Sequence, residues 1–225
     1  GNGNRGILTS GPTWVDGKRG KAINFDKVDD LLTLRSAATV DNLWANGGTV
    51  STWIYPRTYG EEATNGFGRI FDKTSGENGW LLYIGSPLYK SVIFSADFSV
   101  DVGGAGLWCI ATTTKTLPDI NKWTHVAMTY YSSNVANDPT FYINGVAQSL
   151  SAYSNCNQNG PTAYQSDAAN TLYMGNVAAA TRTLDGFIDE ARLYNRALSA
   201  AEIQALYEAD YAKVNAPQNS QITNG

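Results

Sequence analysis

Residues 184–208 read LDGFIDEARLYNRALSAAEIQALYE, a strand pattern that runs directly into a helix start. Its first half, GFIDEARLYNR, shows the short apolar run ended by turn formers that marks a β-strand. Its second half opens with Ser199-Ala-Ala-Glu202, a capping box in which each side chain satisfies the other's backbone amide. Leu198 and Ile203 stand at the positions of a hydrophobic staple across that cap, and Ile203, Leu206 and Tyr207 form one apolar stripe. The spacing predicts one short C-terminal helix over about residues 200–211, lying on a sheet. Beyond it, KVNAPQNSQITNG is polar around a proline. It divides the chain into one domain over 1–212 and a tail or linker over 213–225. Both ends therefore read as cuts from a larger multidomain protein.

Outward from this stretch, strand signals recur at short spacing: GKAINFD, DLLTLR, GTVSTWIYP, GRIFDKT, GWLLYIG, SVIFSADFS, LWCIATTT, KWTHVAMTYY, TFYINGVAQS and NTLYMGNV. With no helix between them, a parallel βαβ sheet is excluded and an all-β, two-sheet antiparallel sandwich is the natural architecture. Asn144-Gly145 lies between FYI and VAQ. It supplies the two positive-φ residues of a type I′ hairpin, so Phe141, Tyr142, Ile143 and Val146 divide between core and solvent.

Composition agrees. Of the 225 residues 43% are apolar and only 16% charged, against a usual charged share of about 25%. The net charge of -4 and the lack of a basic cluster exclude nucleic acid as a partner. No apolar run approaches the roughly 18 residues of a membrane span, so no membrane insertion is expected. The first residues lack the regions of a secretion signal, so either a leader has been removed or none is used. The low Lys+Arg count, the single histidine and the Tyr, Asn and Thr content resemble exported bacterial domains that face sugars. The expected location is secreted or cell-surface.

Three segments together, GKRGKAINFDKVDDLLTL (17–34), NKWTHVAMTYY with FYINGV (121–146) and the 184–208 stretch, resemble the laminin-G-like branch of the concanavalin A-like lectin/glucanase superfamily. The resemblance implies a jelly roll of two curved antiparallel sheets, with the first and last strands close together. It also implies mostly non-catalytic roles in carbohydrate binding, adhesion and protein contact.

Related β-glucanases carry Glu-x-Asp-x-x-Glu on one strand, so that alternate carboxylates share a cleft. Here Asp185-Gly-Phe-Ile-Asp189-Glu190 lacks the first and last Glu, and adjacent Asp189 and Glu190 point to opposite faces. His125 is the single histidine and sits inside a strand pattern, as a packed structural residue. No nucleophile or base accompanies it in sequence, and no enzyme activity is expected.

Asp26, Asp29 and Asp30 fall within five residues at a strand exit, the kind of oxygen cluster that calcium uses. The resemblance implies a structural calcium ion near Asp26 and Asp189, although Lys27 stands where relatives often have Gly. Alternatively, Asp29 and Asp30 are solvated turn residues, and Asp189 is satisfied by backbone amides or Arg192. Cys109 and Cys156 are too few for zinc. They form either a bridge across a loop of about 47 residues, contributing roughly 3 to 4 kcal/mol, or two unpaired thiols.

Sugars are recognised by aromatic faces with polar groups around them, which favours aromatics in polar loops. Tyr59, Tyr89, Trp108, Tyr153 and Tyr164 fit that description, and the long segment 151–168 suits a functional loop. Trp53, Trp123 and Tyr130 follow strand alternation and are expected inside. Trp14, Trp44 and Trp80 remain open. Together these features favour a non-catalytic, calcium-stabilised, carbohydrate-binding or adhesive module whose partner is a glycan or a surface protein. The rival is a structural or protein-interaction domain of a surface filament or multidomain adhesin.

Overall fold

A computed structural model describes residues 4–59, 67–76, 78–85, 91–97, 109–113, 119–131, 137–151 and 166–215. Among the described residues, fourteen strands form two antiparallel seven-stranded sheets. The strands are β1 (Gly6–Thr9), β2 (Thr13–Asp16), β3 (Lys21–Asp26), β4 (Leu31–Leu34), β5 (Gly48–Pro56), β6 (Arg69–Ser75) and β7 (Asn78–Ile84). They continue as β8 (Val92–Asp97), β9 (Cys109–Thr112), β10 (Thr124–Tyr130), β11 (Thr140–Ile143), β12 (Val146–Ala147), β13 (Leu172–Met174) and β14 (Asp185–Tyr194). One sheet runs β1-β4-β13-β6-β7-β8-β9, the other β12-β11-β10-β5-β14-β3-β2. Each strand read from the sequence is present. TFYINGVAQS forms two, because Asn144 (φ 50°) and Gly145 (φ 79°) make the expected hairpin turn. A Cβ at Gly145 would meet the mobile amide end of the Gln204 side chain, so the turn packs against the C-terminal helix, and it is the positive φ that favours glycine there.

β1 and β2 escaped the sequence reading. Both are short edge strands with mostly exposed side chains, so neither alternates between core and solvent.

The core lies between the sheets. Trp44 and Trp80, left open by the sequence, are fully buried there. Their rings meet edge-on at 5.1 Å, and Phe94 and Tyr130 extend the cluster. Fully buried Lys73 projects from β6 to the carboxylates of Asp41 (3.0 Å) and Asp167 (3.5 Å). It also donates to the Asp167 and Asn170 carbonyls, fastening the segment that precedes β13. A buried ammonium is tolerable only because the surrounding oxygens replace its hydration.

The helix α1 (Ala200–Asn215) starts where expected and continues past 211, so the boundary drawn at 212 falls inside it. The run ADYAKVN contains no breaker, and helical conformation is disfavoured only at Ala216, before Pro217. The cap is built as read: Ser199 N–H donates to Glu202 Oε2 (2.9 Å) and Glu202 N–H donates to Ser199 Oγ (3.3 Å). Leu198 and Ile203 are buried with Ala127 and Tyr142, placing α1 on the outer face of the β5–β10–β11 region.

The Arg196 guanidinium, with help from the Ser199 amide and hydroxyl, lowers the Glu202 pKa from 4.5 to about 2. A depressed carboxylate stabilises the folded state above its unfolded pKa, and that contribution is lost as pH falls through the folded value. Amide exchange in the first turn of α1 is therefore expected to accelerate as pH falls from about 4.5 toward 2, after correction for intrinsic rates. In Glu202→Gln that dependence should disappear; a wild-type profile in the variant would contradict the cap.

Candidate functional site

β14 is sandwiched between β5 and β3 over its first half, and its register fixes what meets on the outer face. Asp185 pairs with Asp26, and Phe187 lies between Asn24 of β3 and Tyr55 of β5. Asn24 in turn pairs with Thr13 of β2. On β5, Val50 and Ile54 face the core, so Trp53 and Tyr55 face outward. Trp123 precedes β10 on the same outward parity as His125. One row therefore crosses the sheet: Thr13, Asn24, Phe187, Tyr55, Trp123.

The three rings of this row form a cluster. Tyr55 and Phe187 stack at 5.2 Å and 20°. Trp123 leans over both, 5.6 Å from Tyr55 and 6.1 Å from Phe187. All three side chains are half-buried. Arg57 lies 5.1 Å from the Phe187 ring centre and donates to Asp185 Oδ1 (2.7 Å), Asn24 Oδ1 (2.8 Å) and the Phe25 carbonyl (2.7 Å). Asn24 Nδ2 donates to Thr13 Oγ1 at 3.2 Å. The result is an apolar patch bordered by hydroxyl, amide and charged groups already held in place.

Trp123 was expected inside, and it is not. Alternation separates the two faces of a strand but does not say which one stays wet. The neighbouring outward row, Trp53 and His125, is covered by Tyr207 of α1, with rings 5.4 to 6.0 Å apart, whereas Trp123 lies beyond that cover. His125 is fully buried, its Nε2 2.9 Å from Ser51 Oγ, so its imidazole is packed and hydrogen-bonded within the sheet.

Asp26, Asp29 and Asp30 are brought together in the β3–β4 turn, with carboxylate oxygens within 4.8 Å of one another. Lys27 takes a left-handed conformation (φ 71°) that makes the turn possible. Asp30 is not a solvated turn residue: it is 2% exposed. Its Oδ2 accepts the Asp26 amide (2.9 Å), while Oδ1 is buried without a hydrogen bond. Burial, and then the Asp26 charge, push the Asp30 pKa up. Asn176 and Thr183 brace the turn by donating to the Asp30 and Val28 carbonyls.

Asp189 does not join that group. It lies four residues further along β14, where Oδ2 accepts the Arg19 amide and Oδ1 the Glu190 amide, each at 2.7 Å. A Cβ on Gly17 would come within 2.5 Å of Oδ2, so the β2–β3 turn closes tightly around the carboxylate. Of the loop aromatics, Tyr59 is half-buried and packs against the core. Tyr89, Trp108, Tyr153 and Tyr164 lie outside the described residues, as does Cys156, the partner expected for Cys109 at the start of β9.

A family model for the concanavalin A-like lectin/glucanases superfamily, of laminin-G type, matches residues 26–204. The chain belongs to this superfamily. Among solved structures, this superfamily member is similar to the binding domain of Paraclostridial Mosquitocidal Protein 1, with 20% identity and a TM-score of 0.66 over 93% of this chain and 48% of that one. It is also similar to the botulinum neurotoxin serotype G binding domain, with 16% identity and a TM-score of 0.65 over 93% of this chain and 47% of that one. The chain thus spans about half the length of these structures, and at such identities the likeness is one of fold. No curated protein matches it. Among the described residues, no helix is long and apolar enough to cross a membrane.

For this laminin-G-like domain, Asp189→Ala is expected to lower stability by about 1.5–3 kcal/mol, the cost of unsatisfied amides that had a charged acceptor. In urea unfolding the loss should be equal with calcium and with chelator. A loss confined to calcium-loaded protein would place Asp189 in a metal site instead.

Proposed function

We propose that the chain is a non-catalytic, extracytoplasmic carbohydrate-binding or adhesive module of a larger multidomain protein, stabilised by calcium. The observation that carries this reading is the half-buried, outward-facing Tyr55–Trp123–Phe187 cluster, set among Thr13, Asn24, Arg57 and Asp185. A pyranose ring offers C–H faces to aromatic carbon and hydroxyls to its borders, which is the chemistry this patch can answer. The binding domains among the structural neighbours support the same reading at the level of fold.

Calcium fits the β3–β4 turn. Asp26, Asp29 and Asp30 would supply hard carboxylate oxygens, and the buried, unbonded Oδ1 of Asp30 is an acceptor awaiting a cation. Bound there, the ion would neutralise mutual repulsion and rigidify the turn beside the aromatic row.

Glycan-array binding by the wild type, with Trp123→Ala reducing it at least about tenfold while leaving the melting temperature within a few degrees, is the expected outcome. A silent array with a well-folded domain would favour the structural or protein-interaction reading.

Calcium at a hundredfold its Kd should add about 2.7 kcal/mol of stability, reversed by chelator. Because the Asp30 pKa is raised, protons compete with the ion, and the gain should fade as pH drops through the carboxylate range. Asp30→Asn should abolish it. A calcium-independent melt of metal-stripped wild type would reject the site.

A further inference from the structure

We propose that Lys73 and Asp41 condense to a covalent side-chain amide, with Asp167 carrying the protons, so that the folded domain is cross-linked through its own core. Lys73 Nζ, fully buried on β6, lies 3.0 Å from Asp41 Oδ1 and 3.5 Å from Asp167 Oδ1. Neither acid is an ordinary surface partner. Asp167 is fully buried, and the Asp41 side chain is only 11% exposed. An amine and two carboxylates thus share a site withdrawn from water, where a reaction that removes a pair of charges also removes the cost of burying them.

The other contacts of the nitrogen decide where it can react. Lys73 donates to the carbonyls of Asp167 (2.6 Å) and Asn170 (2.8 Å). An ammonium has three N–H donors, whereas a neutral amine has two and a lone pair. Once one proton leaves, the two carbonyls engage both remaining N–H groups, and the lone pair falls to the carboxylates, of which Asp41 is the nearer. Asp41 Oδ1 is buried and accepts no hydrogen bond among the described residues, so its contact with Nζ is an ion pair alone. Oδ2 of the same carboxylate lies 2.8 Å from the Ser36 hydroxyl, and the Asp41 amide donates to the Ala37 carbonyl (3.0 Å), which holds the group against the amine.

Asp167 suits the second role. Its Oδ1 accepts the Asn42 amide (2.7 Å) and its Oδ2 the Trp80 indole N–H (3.1 Å), so it is fixed beside the amine as the more distant carboxylate. Burial pushes its pKa up, which readies it to take a proton. The step balances. The Lys73 ammonium gives up two protons, which Asp167 passes in turn to the departing Asp41 oxygen; the Nζ–Cγ bond forms, the Cγ–Oδ1 bond breaks and one water leaves. No oxidant or reductant is needed, and Asp167 ends as it began. The bond would tie β6 to the segment between β4 and β5.

The test is the intact mass of the reduced, denatured full chain. It should be one water lighter than the sequence, and trypsin should fail to cut at Lys73 and instead release one branched peptide that contains both Lys73 and Asp41. Lys73→Arg and Asp167→Asn should each show the full mass of its own sequence. The wild-type result stands whether or not either variant folds. Wild type at its full sequence mass would overturn the proposal. So would a lost water that maps to a succinimide at Asp16-Gly17 or Asp185-Gly186, or a branch that joins Lys73 to Asp167. A cross-link formed as completely in Asp167→Asn would overturn the role given to Asp167.

Discussion

Everything of interest in this domain depends on the pairing of β14. Its first half is held between β3 and β5, and its second half by β5 alone. The doubly paired half sets Asp185 opposite Asp26 and Phe187 beside Tyr55, so the acidic turn and the aromatic row become neighbours on one face. The singly paired half, Arg192–Tyr194, meets β5 alone among the described strands. The junction is Asp189, a carboxylate whose two oxygens take backbone amides from two different segments. Accepting those amides ties the β2–β3 turn to β14 beside the bulge.

The outer face of the same sheet is divided by α1. Tyr207 covers Trp53 and His125, while Leu198 and Ile203 bury Ala127 and Tyr142. The helix therefore turns one end of an aromatic sheet face into a second small core and leaves the other end, Tyr55, Trp123 and Phe187, at the solvent boundary. That difference is one of cover, since both rows lie on the same pleat. The rings at the boundary are prearranged by stacking and by the Arg57 bonds to Asp185, Asn24 and the Phe25 carbonyl, which limits the ordering cost of a ligand landing on them.

Much of the architecture was legible in the sequence because it rests on local rules. The capping box at Ser199 and Glu202, the staple of Leu198 and Ile203, and the Asn144-Gly145 hairpin each follow from steric and hydrogen-bonding demands within a few residues. The strands with a buried face were legible for the same reason. The edge strands β1 and β2 lack such a face and left no periodic trace. The site was less legible. Trp123 and Trp53 share an alternation pattern, and only the distant helix decides which of them meets water. Asp26 and Asp30 could be read as a carboxylate cluster, but the burial of Asp30 depends on Asn176 and Thr183, far away in sequence. Asp189 looked like a member of that cluster because the family resemblance implied adjacent first and last strands, whereas the register along β14 sets it four residues beyond Asp185, the partner of Asp26.

Residue-resolved amide hydrogen exchange along β14 tests the account most directly. Asp185–Ile188 should exchange at rates close to those of global unfolding, while Leu193 and Tyr194, which pair with β5 alone among the described strands, should exchange about a hundredfold faster or more. Uniformly slow exchange across all ten residues of the strand would show that its far edge is already paired, and would contradict the organisation described.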